Sequence, residues 1–494
     1  FTKARGNRII TFYKDYTRAR TPVRGRTKGS MVYTDISEIF AKGEALAGGE
    51  VSVAGWVRTA RDSKTMAFAA LNDGTTLKHL QIVFDKSKFE ADALSACLKS
   101  GAAIAVRGAV VPAFNEGGGY EINAESVELL GDCPADYPLQ KKYHTLEFLR
   151  TIPHLRVRTN TFNAMLRVRS KLSFALHRFF QERGYTYVHT PIITGSDCEG
   201  AGEIFRVTTN TYEDAKVCKD EAEYIARDFF CRKAGLTVSG QLEGEVAAMA
   251  MGKIYTFGPT FRAENSNTPR HAAEFWQIEP EVAFAKLPDI IGIAESMIKF
   301  VIKAVLDECG EELEFFEKAF EKGLREKLQS VVDSDFAVVD YTDAIEMLKK
   351  SGEQFSYPVE WGLDLQTEHE RFLTEKIVRK PVFVINYPKA IKSFYMKQND
   401  DGKTVAATDL LVPGVGEIIG CSEREADLDK LTAAMVERGM NLEDYKGYME
   451  LRKYGTVPHS GFGLGLERIL MYVTGIGNIR DLQLYSRTAG DLMA

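Results

Sequence analysis

The stretch FRAENSNTPRHAAEFWQIEPE, residues 261–281, decides how the rest of the chain is read. It carries four Glu, two Arg and a His among large apolar residues, too much charge for a plain core hairpin. Side chains alternate across a strand, so Arg262 and Glu264 share one face while Phe261 and Ala263 take the other. After NSNTPRH, a loop-like run with Pro269, alternation resumes: Phe275, Gln277 and Glu279 on one face, Trp276 and Ile278 on the other. The pattern predicts two antiparallel strands joined by a basic loop, with one face lined by Arg, Glu, Phe and Glu. A cross-strand surface ion pair is the plainer reading of Arg262 with Glu264.

Around this hairpin, residues 146–494 read as one large α/β region. Helical periodicity is clear in TFNAMLRVRSKLSFALHRFFQERG, followed by YTYVHTPIIT, read as a strand ending at Pro191. Further strands are predicted at LTVSGQ, KIYTFGPTFRAE, EFWQIEPEVAF, PVFVINYP and SFYMKQ, with a helical block at about 286–352. Helices followed by hairpins argue for an antiparallel sheet flanked by helices, an α+β class, rather than a doubly wound parallel one. No G-x-x-x-x-G-K-[ST] loop is present, and the G-x-G in GFGLGLER (461–468) is weak evidence alone. Its glycines suit a close approach to a flat ligand, or simply helix–sheet packing.

Residues 51–131 differ in texture. VSVAGWVRTA, MAFAALNDG, LKHLQIVFD, AAIAVRGAVV and YEINAESVELL are short strands, with a helix predicted between the third and fourth. That order is the pattern of an OB-fold barrel, assigned to 31–131. Alternation puts Leu80, Ile82 and Phe84 inside and leaves Gln81 facing out. Residues 132–150, including DCPADYPLQKKYH, read as a hinge linker before a catalytic region at 151–494. Residues 1–30 hold nine Lys/Arg and one acid and read as a disordered extension ahead of Met31. A basic arm on RNA phosphates and a transit peptide are the other readings of this segment.

The 494 residues, 45% hydrophobic and 27% charged with net charge −6, describe an ordinary globular chain without global affinity for nucleic acid. Seven scattered Cys without a C-x-x-C fit a reducing, cytosolic compartment better than a disulfide scaffold or zinc site. No apolar run approaches the roughly 20 residues of a membrane span.

Three segments together resemble the signature set of class II aminoacyl-tRNA synthetases. FFQERGYTYVHTPII is similar to motif 1, the 261–281 stretch to motif 2, and GFGLGLERIL to motif 3. The OB-fold marks the aspartate, asparagine and lysine subgroup. SGQLEGE (239–245), ITGSDCEGAGEIF and GEIIGCSEREADL most resemble the asparaginyl-tRNA synthetases. The resemblance implies ATP-dependent ligation of L-asparagine to tRNA(Asn) through an adenylate, by a homodimer with Pro191 at its interface. The rivals are an aspartyl-tRNA synthetase, discriminating or not, and a synthetase-like protein that binds tRNA without acylating it.

The same resemblance implies roles. Arg262 would bridge the ATP α-phosphate and the attacking carboxylate, Glu264 would accept the adenine amino group, and Phe275 would stack on the purine with Arg468 covering its other side beside Gly465. Arg270 and His271 would reach the γ-phosphate. Glu417, and Asp409 with it, are carboxylates of the type that hold Mg²⁺; for Asp409 a turn cap is the alternative. Glu199, on a Gly-flanked loop suited to a lid, and Gln241 would bind the substrate ammonium, unless Glu199 is a solvated loop acid. Arg424 would donate to the side-chain oxygen of asparagine. Arg61, Phe68 and Gln81 would read anticodon bases, with barrel core as the alternative for Phe68. His459 is read as a packing or tRNA-end residue, and no nucleophile is needed.

Asparagine and aspartate are nearly isosteric, so polarity must separate them. In the aspartyl enzymes the segment similar to SGQLEGE carries a Lys where Gly244 stands, with Glu245 following in place of Gln. Glu245 is therefore expected to accept the asparagine NH₂ and repel a second carboxylate. A solvated strand-end acid, with Glu243 as the acceptor, is the other reading. The C-terminal IRDLQLYSRTAGDLMA departs from the family by Leu484 and Ser486 in place of prolines, and Cys421 stands where Gly is usual.

Overall fold

The structure is a computed structural model that describes residues 32–113, 119–196, 198, 203–266 and 268–492. The basic segment 1–30 and the candidate lid residue Glu199 lie outside the described residues. The chain divides between Lys141 and Lys142 into two compact units.

In the first unit, a helix (Ile36–Leu46) precedes β1 (Glu50–Asp62), β2 (Met66–Asn72), β3 (Leu80–Asp85), β4 (Ala103–Pro112) and β5 (Tyr120–Gly131). The strands close a barrel in the order β1-β2-β3-β5-β4, with the helix Ala91–Cys97 between β3 and β4. Only β3 and β5 run parallel; the other barrel pairs are antiparallel. Every second residue points inward, so Ala67, Ala69 and Leu71 of β2 and Leu80, Ile82 and Phe84 of β3 fill the interior. The expected OB-fold is present.

The second unit is built on β6 (Thr186–Tyr187), β7 (Ile193–Thr194), β8 (Gly235–Leu236), β9 (Lys253–Phe261), β10 (Glu274–Ala283), β11 (Ala337–Asp340), β12 (Val382–Ile385), β13 (Ala407–Val412), β14 (Gly416–Glu423) and β15 (His459–Gly465). Eight of these form one sheet in the order β11-β12-β13-β14-β15-β10-β9-β6, while β7 and β8 make a separate ribbon. The six inner strands are antiparallel, and a parallel pair closes each edge. Two helices of 22 residues, Asn160–Gln181 and Leu287–Glu308, pack against each other, and the second lies on β13, β14 and β15. Met165, Val168, Leu172, Leu176, Phe179 and Phe180 recur at helical spacing and are buried, each worth roughly 1.5–3 kcal/mol of transfer free energy.

Several expected strands are shorter or absent. YTYVHTPIIT pairs only at Thr186–Tyr187 and again at Ile193–Thr194, because Pro191 between them has no N–H for a ladder. LTVSGQ keeps a strand only at Gly235–Leu236, and the rest of SGQLEGE runs into a helix, Gln241–Met251. Ala, Met, Leu and Glu dominate that helix and outweigh the strand-like start. SFYMKQ forms isolated bridges, Met396 to Arg424 and Gln398 to Val405, rather than a strand. The helical block at 286–352 contains one strand of the main sheet, β11.

Candidate active site

A cleft of about 550 Å³ opens on the sheet, lined from β10 by Phe275, Gln277, Glu279 and Glu281. The opposite side chains of β10, Ile278 and Val282, are buried. Strand β9 ends at Phe261, so Arg262 and Glu264 stand in the loop beyond it rather than on a continuous strand. The Arg262 N–H still donates to the Ala273 carbonyl at 3.0 Å. Both residues line the cleft. The shared face expected from strand alternation is thus reached by a loop.

The cleft brings together Gln241, Arg262, Glu264, Arg270, His271, Phe275, Asp409, Glu417, Arg424, Gly465 and Arg468. Arg262 lies over the Phe275 ring, 5.5 Å from its centroid. Arg468 donates to Glu417 Oε2 at 3.1 Å, a guanidinium held by a carboxylate from the neighbouring strand β14. Arg270 donates to Thr367 Oγ1 at 3.0 Å, and burial lowers the pKa of His271. The result is a concave site with Arg262 at an aromatic ring, Arg468 held on Glu417, and two further basic groups in the motif 2 loop.

Asp409 and Glu417 converge over Gly420, whose β-carbon, were there one, would lie 3.5 Å from Glu417 Oε1 and 3.7 Å from Asp409 Oδ1. Asp409 is also paired with Lys392 at 2.6 Å. Glu370, from the short helix Thr367–Phe372, accepts from the Glu417 N–H at 3.2 Å. Burial, reinforced by the charge of Glu417, pushes Glu370 up to about 8. Such crowding of carboxylates suits a divalent cation. Among the described residues no group of three or more His, Cys, Asp or Glu could hold a metal ion alone. Mg²⁺ here would therefore need phosphate oxygens to complete its shell, its usual habit in nucleotide sites.

Arg424 is buried at the cleft floor, donating from Nε to Glu281 Oε2 at 3.2 Å and from one terminal nitrogen to Ser422 Oγ at 2.7 Å. Its other terminal nitrogen bonds Glu281 Oε1. Burial and the nearby Glu245 push Glu281 up against the pull of Arg424. Gly461 faces Glu281 across β10 and β15, and a β-carbon there would collide with that carboxylate. One glycine of the motif 3 segment thus makes room for a buried acid rather than for a ligand. Glu279, its neighbour on the same face, accepts from Ser239 Oγ at 2.5 Å, Gly240 N–H at 2.9 Å and Thr256 Oγ1 at 3.1 Å.

Glu245 does not line the cleft, which corrects the role expected for it. The helix that begins after Gly240 sets Glu245 four residues beyond Gln241 and turns it inward. There Oε1 accepts from Gln241 Nε2 at 3.0 Å and Tyr448 OH at 2.9 Å, and Oε2 from Arg452 at 2.6 Å. His459 Nε2 lies 3.0 Å from the same Oε2. Burial would raise this carboxyl, but Arg452, His459 and Arg424 outweigh it and hold it well below the ordinary range. The acid that does reach the cleft beside Arg424 is Glu281. Its signal in the sequence was a carboxylate inside the apolar run IEPEVAF. Lys392, Tyr387 and Glu370 also line the cleft; the first two come from irregular stretches and Glu370 from a helix of six residues, too short for a readable periodicity.

On the barrel, Arg61 is exposed and faces Phe68 across β1 and β2, while Gln81 faces Ala70 across β2 and β3. Phe68 alternates with the buried Ala67 and Ala69 and points outward, so it is not barrel core. Gln81 Nε2 donates to Glu121 Oε2 at 2.6 Å.

Residues 145–489 match the family described as tRNA synthetases class II (D, K and N), and residues 51–130 match the OB-fold nucleic acid binding domain. An asparagine–tRNA ligase from Clostridium novyi is 56% identical over 92% of this chain and 98% of its own length. One from Acetivibrio thermocellus is 54% identical over 93% and 99%. Among solved structures, asparaginyl-tRNA synthetase from Pyrococcus horikoshii complexed with asparaginyl-adenylate is 31% identical with a TM-score of 0.82, covering 94% of this chain and all of that one. An aspartyl-tRNA synthetase from Entamoeba histolytica shares the fold at 23% identity and a TM-score of 0.74. At this identity and over this length, the chain belongs to the asparagine–tRNA ligases of the class II tRNA synthetase family.

Proposed function

We propose that the protein joins L-asparagine to tRNA(Asn) in two steps at the cleft, first forming asparaginyl-adenylate from ATP. The observation that carries this reading is the convergence of Arg262, Phe275 and Arg468 in one cleft with the Arg424–Glu281 pair at its floor. The adenine stacks between Phe275 and Arg468, with Glu264 accepting its amino group. Arg270 and His271 meet the terminal phosphate. Gln241, with Glu199, takes the substrate ammonium. A guanidinium carries five N–H donors, so Arg424 can hold Glu281 and Ser422 and still donate to the side-chain oxygen of asparagine. Glu281 then takes the side-chain NH₂.

The asparagine carboxylate attacks the α-phosphorus in line, and pyrophosphate leaves. Arg262 binds both the α-phosphate and the carboxylate, where negative charge gathers during displacement. Glu417, with Asp409, would hold a Mg²⁺ ion, which would supply countercharge to the phosphates. The terminal ribose hydroxyl of the tRNA next attacks the acyl carbon and AMP departs, while Arg61, Phe68 and Gln81 engage the anticodon.

The exposed apolar side chains Phe174, Tyr187, Ile192 and Ile193 flank the long helix and the Pro191 segment. They support a two-fold dimer through this region, and light scattering at micromolar concentration is expected to give twice the chain mass. None of the seven cysteines is disulfide-bonded, as suits a reducing compartment. No described helix is long and apolar enough to cross a membrane. Asparagine-dependent ATP–pyrophosphate exchange, run beside aspartate, tests the reading; preference for aspartate would overturn it.

A further inference from the structure

Behind the cleft floor lies a charged cluster whose centre, Arg452 with Glu245, does not line the cleft. Arg452, on the helix Lys446–Lys453, has a fully buried side chain and is not part of the cleft wall. Its Nε donates to the Glu425 carbonyl at 2.9 Å, and one terminal nitrogen reaches Glu245 Oε2 at 2.6 Å and Tyr448 OH at 2.8 Å. The guanidinium also lies 4.0 Å from the centre of the Tyr448 ring. Glu245 in turn accepts from Gln241 Nε2 at 3.0 Å, and its Oε1 stands 3.9 Å from Arg424 Nε. Gln241 and Arg424 are the two members of this cluster that line the cleft with Glu281.

We propose that Arg452 is a positioning residue for asparagine, acting through Glu245 on both Gln241 and Arg424. By meeting the charge of Glu245, Arg452 leaves Arg424 on Glu281, where its remaining donors face the substrate. The Glu245 carboxylate also fixes the amide of Gln241: its NH₂ must point to the acid, so its oxygen is what Gln241 offers to the substrate ammonium. Two guanidiniums, Arg424 and Arg452, thereby face two carboxylates, Glu245 and Glu281, in a buried volume, with the His459 ring on the outer oxygen of Glu245. A neutral asparagine side chain leaves these charges as they stand, whereas aspartate adds a third anion without a cation. Without Arg452, Glu245 keeps only His459, Tyr448 and Gln241 as close partners, with Arg424 as the nearest remaining guanidinium, and Arg424 is drawn from the substrate side.

This role rests on the function proposed above, and pyrophosphate exchange separates the two. The measurement is KM for asparagine and for ATP, with kcat, in the full chain carrying Arg452→Met, Arg452→Lys or Tyr448→Phe. Arg452→Met is expected to raise KM for asparagine at least tenfold and leave KM for ATP within twofold, and Arg452→Lys, which keeps the charge, to recover most of the loss. Tyr448→Phe removes one donor to Glu245 without changing the ring, and is expected to raise KM for asparagine about threefold. It serves alone if Arg452→Met does not fold. An unmoved asparagine KM, or equal rises in both KM values, overturns the role of Arg452. A wild type without asparagine-dependent exchange overturns the function itself.

Discussion

Arg424 and Glu281 pair side-on at the cleft floor, Arg424 Nε 3.2 Å from Glu281 Oε2 and a terminal nitrogen on Oε1. One group donates and the other accepts, which is the polarity that an amide side chain presents in reverse. A second carboxylate would find the donor but be repelled by the acid. Glu281→Gln should therefore lower the preference for asparagine over aspartate at least tenfold, about 1.4 kcal/mol. Exchange kinetics with the two amino acids give the ratio directly, and an unchanged ratio would place the discrimination elsewhere.

Removing Arg262 takes away a partner of the Phe275 ring and, in the function proposed above, a cation at the reacting phosphate. Loss of such a donor typically costs about 3–4 kcal/mol at the transition state. Arg262→Ala should lower kcat for adenylate formation by at least a hundredfold, with unchanged circular dichroism. Near-normal exchange in the folded variant would refute the assignment.

Phe68 points away from the barrel interior, between the buried Ala67 and Ala69. Stacking on one base is worth roughly 1–3 kcal/mol. In Phe68→Ala, KM for tRNA should rise about tenfold while tRNA-independent exchange and the melting temperature stay put. A lowered melting temperature would mean that the ring holds the barrel together.

Glu370 is raised to about 8 by burial and by Glu417, against an ordinary 4.5. Between those values the folded protein binds a proton that the unfolded chain has lost, so stability falls as pH rises through this window. Glu370→Gln keeps an acceptor for the Glu417 N–H and removes the titration. The ligand-free variant should melt at least about 1 °C higher than wild type at pH 8, the effect of ~1 kcal/mol in a unit of this size, and match it near pH 4. Parallel melting curves across that range would show that folding does not shift the Glu370 carboxyl.

Much of this was legible in the sequence because period-2 alternation survives wherever one face is buried. Strand β2 follows it residue by residue, and in β10 every second side chain from Phe275 to Glu281 lines the cleft, so Phe68 and Phe275 stand where alternation puts them. It failed at Glu245, where the reading carried a strand through Gly240 although the chain turns there into a helix. A helical turn moves residue 245 by about 100° per step instead of 180°, which exchanges cleft for interior. Lys392 and Glu370 were out of reach for another reason. Their positions depend on pairing partners many residues away, Asp409 for one and Glu417 for the other, and no local pattern encodes that.

β10 is flanked in the sheet by β9, which precedes it closely, and by β15, the last strand of the chain. Until β15 arrives, β10 and β14 each present an unpaired edge, the kind of surface that invites wrong strand partners. Arg468, just past β15, comes later still. A ribosome must therefore deliver the chain through Arg468 before the nucleotide pocket exists, whereas β1 to β5 complete their ring from one contiguous early segment. During synthesis the barrel unit is finished first, and the larger unit waits, exposed, for β15.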